Sequence, residues 1–170
     1  MEELEAVKLT DVTKQVASAK SPVHVLWQHD DTLAFVARGR EHRSEFHTDP
    51  VDEVMLMLKG SMDLHYRTSL DEEKVAVVTE GELIYCPAGV PHSPRFSPGS
   101  SVLVMERKRS PYESDHFTWY CESCGTELFK TVKHITDYNA DPVSEVYEEF
   151  YESEKHRTCD HCGHVTPRPS

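Results

Sequence analysis

Three side chains with the chemistry of metal ligands lie in the first hundred residues of this chain: His47, Glu53 and His92. Two imidazoles and one carboxylate bind a metal on one face and leave the opposite face open. Ferrous iron held in this way has room for a small substrate and dioxygen side by side. The residue types therefore predict an open, catalytic metal site.

The spacing of glycines and prolines around these ligands supports the prediction. The first segment contains Gly39, Glu45, His47, Glu53 and Gly60, and the second contains Gly81, Pro87, Gly89 and His92. Glycine and proline allow the chain to reverse tightly between strands, which would direct His92 into the mouth of a barrel. Both spacings resemble the paired motifs of the cupin superfamily. His65 and His116 lack this spacing, and we expect them to be structural or exposed.

Glu53 begins a strand-like run in which it shares a face with Met55 and Met57. A carboxylate that points into an apolar interior is costly unless it is paired or bound to a cation. A metal at Glu53 explains the pattern economically. The alternative is that Glu53 lies at the solvated end of its strand.

The rest of the sequence predicts a mostly β protein. Short apolar runs recur at Leu33–Ala37, Val54–Leu58, Met62–Tyr66, Val75–Val78, Leu83–Cys86 and Val102–Met105. Turn-rich segments separate these runs and no long helix intervenes, which favours an antiparallel jelly-roll barrel. We expect a helical lead-in over residues 1–21, the cupin barrel over 22–110, and a C-terminal extension over 111–170.

The extension contains two CxxC pairs, Cys121/Cys124 and Cys159/Cys162. Four thiolates can close a tetrahedral site around zinc or iron, and a closed site has no position for a substrate. We therefore expect a structural metal. A redox pair like that of thioredoxin is the alternative, but it would follow a strand in a βαβ unit, and the sequence shows no such unit.

One small helix is predicted between the two cysteine pairs. Asp141 and Pro142 supply an N-cap and a first-turn proline. One helix face then carries Val143, Val146, Tyr147, Phe150 and Tyr151. The basic residues 155–157 suit the C-terminus of this helix, which we expect to present Cys159 and Cys162.

The charge of the chain limits its partners. Eighteen Lys and Arg residues against thirty Asp and Glu give a formal net charge of -12, which repels nucleic acids and anionic lipids. The N-terminus is acidic, and no apolar run approaches the roughly 20 residues of a membrane span. We expect a soluble cytoplasmic protein without nucleic-acid or membrane partners. An anionic substrate would need local arginines.

Most of residues 25–165 resembles the bacterial form of the 3-hydroxyanthranilate 3,4-dioxygenase family. The resemblance lies in His42–Glu53, Pro91–Pro94, Val104–Arg107, Phe117–Cys121, Phe150–Glu154 and Cys159–Gly163. It implies that His47, Glu53 and His92 hold ferrous iron, which the substrate chelates through its phenolic oxygen and amino nitrogen. Insertion of both atoms of dioxygen would give 2-amino-3-carboxymuconate semialdehyde, which cyclises to quinolinate, a precursor of NAD. The resemblance also implies a homodimer.

The same resemblance assigns roles to two charged residues. Arg43 would lie beside the dioxygen site, where a fixed cation stabilises negative charge developing on oxygen. Glu106 would lie near the amino and hydroxyl groups of the substrate and assist proton transfer. The simpler interpretation is that both belong to ion pairs at the rim of the barrel.

One position departs from the family. The arginine that binds the substrate carboxylate falls at Phe96 in this chain, and Arg95 precedes it. A single deletion would bring Arg95 into register as the substrate-binding residue. Otherwise the pocket accepts an altered ring, such as a substituted or less acidic aminophenol or a catechol-like acid, because phenylalanine cannot replace an arginine fork. A third possibility is a metal-bearing protein that binds a small aromatic without catalysis.

Overall fold

The structure of the chain is a computed structural model that describes residues 4–40, 43–69, 72–139 and 142–169. In chain order its elements are α1 (Leu9–Ser18), β1 (Val23–His29), β2 (Thr32–Arg38), β3 (Phe46–Thr48), β4 (Glu53–Lys59), β5 (Ser61–Ser69), β6 (Glu72–Thr79), β7 (Leu83–Cys86), β8 (His92–Phe96), β9 (Ser101–Arg107), β10 (Asp115–Tyr120), β11 (Glu127–Lys133), α2 (Pro142–Glu152) and α3 (Glu154–Arg157). The mostly β prediction is confirmed, and each of the six apolar runs lies within a strand.

The strands form two sheets. One sheet has the order β1-β2-β9-β4-β7 and the other has the order β11-β10-β3-β8-β5-β6. Both sheets contribute to one buried core, whose members are Met55, Met57, Met62, Leu64, Val78, Cys86, Val102 and Val104. The described strand pairs are antiparallel, so the two sheets enclose an apolar interior as a jelly roll does.

Strand β4 is apolar on both faces, as its sequence predicts. Met55 and Met57 point into the core between the sheets, while Leu56 and Leu58 pack on the outer side beneath α1. Glu53 begins the strand and is 7% exposed. The alternative that Glu53 lies at a solvated strand end is therefore wrong.

The lead-in forms a shorter helix than the predicted range of 1–21. Helix α1 buries Val12 and Val16 against the outer face of β2 and β9. Leu4 is 98% exposed and lies before the helix. Among the described helices, none is both long and apolar enough to cross a membrane.

The second sheet continues across the predicted boundary at residue 110. Strand β3 pairs with β8 on one side and with β10 on the other, and β10 pairs with β11. The extension over 111–170 therefore supplies two strands to the sheet that carries His47 and His92. These two strands of the extension therefore belong to the barrel's second sheet.

An aromatic cluster packs helix α2 against strand β10 within the extension. The rings of Trp119 and Phe150 stack with centroids 4.6 Å apart, and Val146 and Phe117 are buried beside them. The predicted single helix is divided at Ser153, whose side chain accepts a hydrogen bond from the backbone N–H of His156 and caps α3. The predicted N-cap, Asp141, lies outside the described residues.

Replacing Phe150 with alanine should destabilise the chain by about 3–5 kcal/mol, because the ring is fully buried and its removal leaves a cavity. Urea unfolding followed by circular dichroism measures this loss. Tyr112→Ala is the control, since Tyr112 is 97% exposed and its replacement should cost no more than about 0.5 kcal/mol. Equal midpoints for the two variants would contradict the packing described for α2.

Candidate metal and substrate site

The two predicted histidine ligands face each other across neighbouring strands. His47 in β3 and His92 in β8 are register partners, and their ring centroids are 5.6 Å apart. Gly89, with φ of 79°, makes the turn that leads into β8. The Nδ1 atom of His92 lies 3.0 Å from the carbonyl oxygen of Val90. Donation to that carbonyl fixes the ring and leaves Nε2 available as a ligand atom.

Glu53 lies directly against His92. Its Oε2 atom is 2.9 Å from His92 Nε2. Burial raises the pKa of Glu53, but the charge of His92 outweighs this and brings the pKa down to about 2. Burial lowers the pKa of His92, yet Glu53 raises it well above the ordinary value. The two shifts describe an ionised carboxylate that faces a protonated imidazole. This position therefore favours a positive charge.

His47 has a carboxylate at each ring nitrogen. Nε2 lies 2.8 Å from Asp115 Oδ1, and Nδ1 lies 3.3 Å from Asp49 Oδ2. The ring stacks on Phe117 at 4.6 Å with an interplanar angle of 5°. Burial lowers the pKa of His47 despite these neighbours. A neutral imidazole that donates its Nε2–H to Asp115 carries its lone pair on Nδ1.

The predicted ligands meet in overlapping groups around His92. The ligand atoms of His47, Asp49 and His92 lie within 4.8 Å of one another, as do those of Glu53, Cys86 and His92. His47 thus reaches the site beside Asp49, and Glu53 reaches it beside Cys86. Neither Asp49 nor Cys86 is predicted as a ligand from the sequence.

The charges and free oxygens of this region fit a divalent cation. Four carboxylates, those of Asp49, Glu53, Glu106 and Asp115, are buried or nearly so. Asp49 Oδ2 and Glu53 Oε2 complete no hydrogen bond with any described residue. Adjacent ligands on one octahedral ion lie about 3 Å apart. The 2.9 Å between Glu53 and His92 and the 3.3 Å between Asp49 and His47 match that spacing.

Arg43 reaches the same cavity and is held by a buried partner. Its Nε and Nη2 atoms lie 2.7 and 2.6 Å from Glu45 Oε1, and Tyr147 donates its hydroxyl hydrogen to Glu45 Oε2 at 2.5 Å. Tyr147 belongs to α2, so the extension helps to orient Arg43. Glu45 stands at a position of the first motif, but its role is visible only in the fold.

Glu106 also lies on the cavity wall, at the end of β9, where it contacts Arg109. Burial raises the pKa of Glu106 to about 8, and the nearby Glu53 adds to this while Arg109 opposes it. A carboxyl group with this pKa can accept or release a proton near neutral pH. Arg109 is not predicted from the sequence, although it lies three residues after Glu106.

The cavity beside these groups is largely apolar. Its volume is about 170 Å³, and an apolar cavity of about 150 Å³ holds a benzene ring. Its apolar wall includes Phe35, Met55, Phe96, Val102 and Val104. The shape therefore suits one small aromatic molecule whose polar groups point at the ligands.

Arg95 does not reach this cavity. Along β8 the side chains alternate, and His92, Pro94 and Phe96 line the cavity. Arg95 points from the opposite face, where its Nη2 lies 3.8 Å from Glu73 Oε1. A one-residue shift in a strand reverses the face, so the expected deletion does not place Arg95 at the substrate. We leave Arg95 out of the proposed site.

The four predicted cysteines converge in the extension. The Sγ atoms of Cys121 and Cys162 are 3.6 Å apart, as are those of Cys124 and Cys159. Four thiolates at about 2.3 Å from one ion lie about 3.8 Å from each other. Each pair is built alike, since the N–H of Gly125 donates to Cys121 O and that of Gly163 to Cys159 O, both at 2.8 Å. The arrangement fits a closed tetrahedral site.

Solved structures with a similar fold identify the architecture. A protein of Bacillus halodurans aligns with a TM-score of 0.53 and 16% identity, covering 65% of this chain and 86% of that one. A cupin-2 domain containing protein from Shewanella frigidimarina aligns with a TM-score of 0.50 and 17% identity, covering 60% and 94%. The chain has the cupin fold, as predicted.

Sequence comparison then gives the family. The 3-hydroxyanthranilic acid dioxygenase family matches residues 1–151. A 3-hydroxyanthranilate 3,4-dioxygenase of Bacillus thuringiensis is 34% identical over 163 residues, which are 95% of this chain and 89% of the relative. One of Paraburkholderia phytofirmans is 36% identical over 143 residues, covering 84% and 81%. This chain belongs to the 3-hydroxyanthranilic acid dioxygenase family, which confirms the resemblance predicted from its sequence.

Proposed function

We propose that this chain is a ring-cleaving dioxygenase that inserts both atoms of dioxygen into 3-hydroxyanthranilate and forms 2-amino-3-carboxymuconate semialdehyde. His47, Glu53 and His92 are its proposed ferrous-iron ligands. One observation carries the proposal: in a member of this family, His47 and His92 on neighbouring strands and Glu53 against His92 all line one ring-sized, largely apolar cavity.

Iron bound at these residues supplies the chemistry that joins dioxygen to an aromatic ring with a neighbouring hydroxyl and amino group. The protein supplies orientation and charge. Phe35, Met55 and Phe96 hold the ring and keep water away from it. Arg43, fixed by Glu45, places a cation on the cavity wall where negative charge develops on oxygen.

Glu106 is the proposed proton acceptor. Its pKa of about 8 keeps it partly protonated near neutral pH, so it can take the phenolic proton of the substrate at Oε2 and return it later in the reaction. Its Oε1 atom is already bound by Arg109. The ion-pair interpretation of Glu106 and the catalytic one are thus compatible, because the two oxygens have different partners.

Anaerobic reconstitution with ferrous iron, followed by exposure to oxygen, tests the function. We expect 3-hydroxyanthranilate to drive oxygen uptake in a one-to-one ratio and the absorbance of the ring-opened product to appear. Protein kept without iron is the control. Binding of 3-hydroxyanthranilate without oxygen uptake would contradict catalysis and favour a protein that only binds aromatics.

A second candidate substrate is a substituted or less acidic aminophenol. The placement of Phe96 in the cavity and of Arg95 outside it favours this candidate, because neither residue offers an arginine fork to a carboxylate. Methylated and carboxylate-free analogues decide between the two. Turnover of these analogues but not of 3-hydroxyanthranilate would establish the second candidate.

Two further expectations accompany the function. We propose that the four cysteines hold a structural iron or zinc ion and that the protein is a homodimer, as the family resemblance implies. Metal analysis of protein purified without added metal, combined with visible absorption, distinguishes the two metals, because iron thiolates are coloured and zinc thiolates are colourless. Sedimentation equilibrium gives the oligomeric state.

A further inference from the structure

Within the described part of the chain, only Arg109 contacts three carboxylates of the candidate site. Its Nη2 binds Asp49, its Nη1 binds Glu106, and its Nε and Nη2 lie 3.2 and 2.8 Å from the two oxygens of Asp115. The side chain is 4% exposed. All three guanidinium nitrogens are therefore directed at carboxylates rather than at solvent.

Two of these carboxylates are the ones that hold His47. Asp115 Oδ1 accepts from His47 Nε2, and Asp49 places its Oδ2 at His47 Nδ1. Arg109 binds Asp115 at both oxygens and Asp49 at Oδ1. Because Arg109 binds Oδ1 of Asp49, Oδ2 of Asp49 remains directed at the ring of His47. Arg109 also fixes Asp115, the acceptor that selects the tautomer of His47.

The third carboxylate is that of Glu106, the proposed proton acceptor. The bond from Arg109 Nη1 to Glu106 Oε1 restricts the rotation of this carboxylate at the cavity wall. One side chain therefore connects the orientation of a proposed iron ligand with that of the proposed proton acceptor.

We propose that Arg109 is a positioning residue that selects which nitrogen of His47 faces the metal and holds Glu106 toward the substrate. This inference rests on the proposed function. It requires an arginine, because a planar fork of five N–H donors reaches three carboxylates at once, whereas a lysine ammonium is a compact point charge. Charge alone would not reproduce the arrangement.

Binding of cobalt(II) tests the proposal without substrate or oxygen, in protein whose four-cysteine site is filled with zinc and whose proposed iron site is empty. Arg109→Lys retains the charge but loses the fork, so we expect cobalt affinity to fall by about 10- to 100-fold, the loss typical of a ligand's outer partner. The visible spectrum of the cobalt-loaded variant should also change, because His47 is reoriented. In the iron-loaded enzyme, kcat should fall with little change in KM.

Arg107→Lys is the matched control. Arg107 is the last residue of β9, two residues before Arg109, and forms a two-pronged ion pair with Glu113 at 2.7 and 2.5 Å, but its side chain is 43% exposed and does not line the cavity. This variant should keep the cobalt affinity, the spectrum and kcat of the unchanged protein. A similar loss in both variants would overturn the proposal in favour of general stabilisation.

A second variant guards against misfolding. Arg109→Ala leaves room for a guanidinium ion, and millimolar guanidinium chloride should restore cobalt binding and its spectrum, while ammonium chloride should not. Unchanged cobalt affinity and spectrum in Arg109→Lys, or equal rescue by both salts, would overturn the positioning role. If cobalt binding of the unchanged protein is insensitive to His47→Ala and His92→Ala, the proposed function fails instead.

Discussion

Glu53→Gln should abolish ring cleavage while leaving the fold intact. The amide has nearly the same shape, but it removes the carboxylate that lies directly against His92. Iron affinity should fall by more than about 100-fold, which is the upper range for changes to outer partners of a metal ligand. Iron titration of the metal-free protein and oxygen uptake with saturating 3-hydroxyanthranilate measure both effects.

The same substitution should lower the thermal stability of the metal-free protein, because it breaks the buried pair of Glu53 with His92. That pair brings the pKa of Glu53 down to about 2 despite burial, so the ionised carboxylate stabilises the fold at neutral pH. Glu127→Gln serves as the control, because Glu127 also begins a strand but is exposed. Retention of iron and activity in Glu53→Gln would exclude Glu53 as a ligand.

Cys159→Ser should have the largest effect on stability. Cys159 is buried in the four-cysteine group, and loss of one thiolate from the proposed tetrahedral site would remove most of the contribution that a bound metal makes to folding. We expect a loss of about 4 kcal/mol or more, which lowers the melting temperature by about 10 °C in a chain of this length. Differential scanning calorimetry and metal analysis measure the change.

Ser123→Ala is the matched control for this variant, because Ser123 is exposed and lies between Cys121 and Cys124. It should melt at the temperature of the unchanged protein. A chelator that removes the metal from the unchanged protein should reproduce the effect of Cys159→Ser. Full thermal stability of the serine variant without bound metal would exclude a structural role for the cysteine group.

The sequence predicts the longer strands but misses others for physical reasons. Apolar periodicity identifies β4 and β9, whose side chains fill the core. Strand β3 has only three residues, and β8 contains Pro94, which usually marks an edge strand. Both lie inside the second sheet because they pair on two sides, and such pairing depends on partners distant in the chain.

Some residues of the candidate site can likewise be predicted from the sequence and others cannot. Motif spacing identifies His47 and His92, since glycines and prolines flank both at the spacing of the cupin motifs. Asp115 and Arg109 leave no such signal, because they approach His47 only through the pairing of β3 with β10. Counting along the chain brings Arg95 into register with the substrate, whereas the alternation of side chains in β8 places it on the other face.

The contact between Tyr147 and Glu45 has a consequence for any shortened form of the protein. A chain ending after β11 would retain all three proposed iron ligands. It would nevertheless lose the phenol that donates to Glu45, and Ser44 would lose the hydroxyls of Tyr147 and Tyr151. Glu45 would then hold the guanidinium of Arg43 less firmly. We therefore expect truncation to impair the reaction with oxygen more than it impairs metal binding.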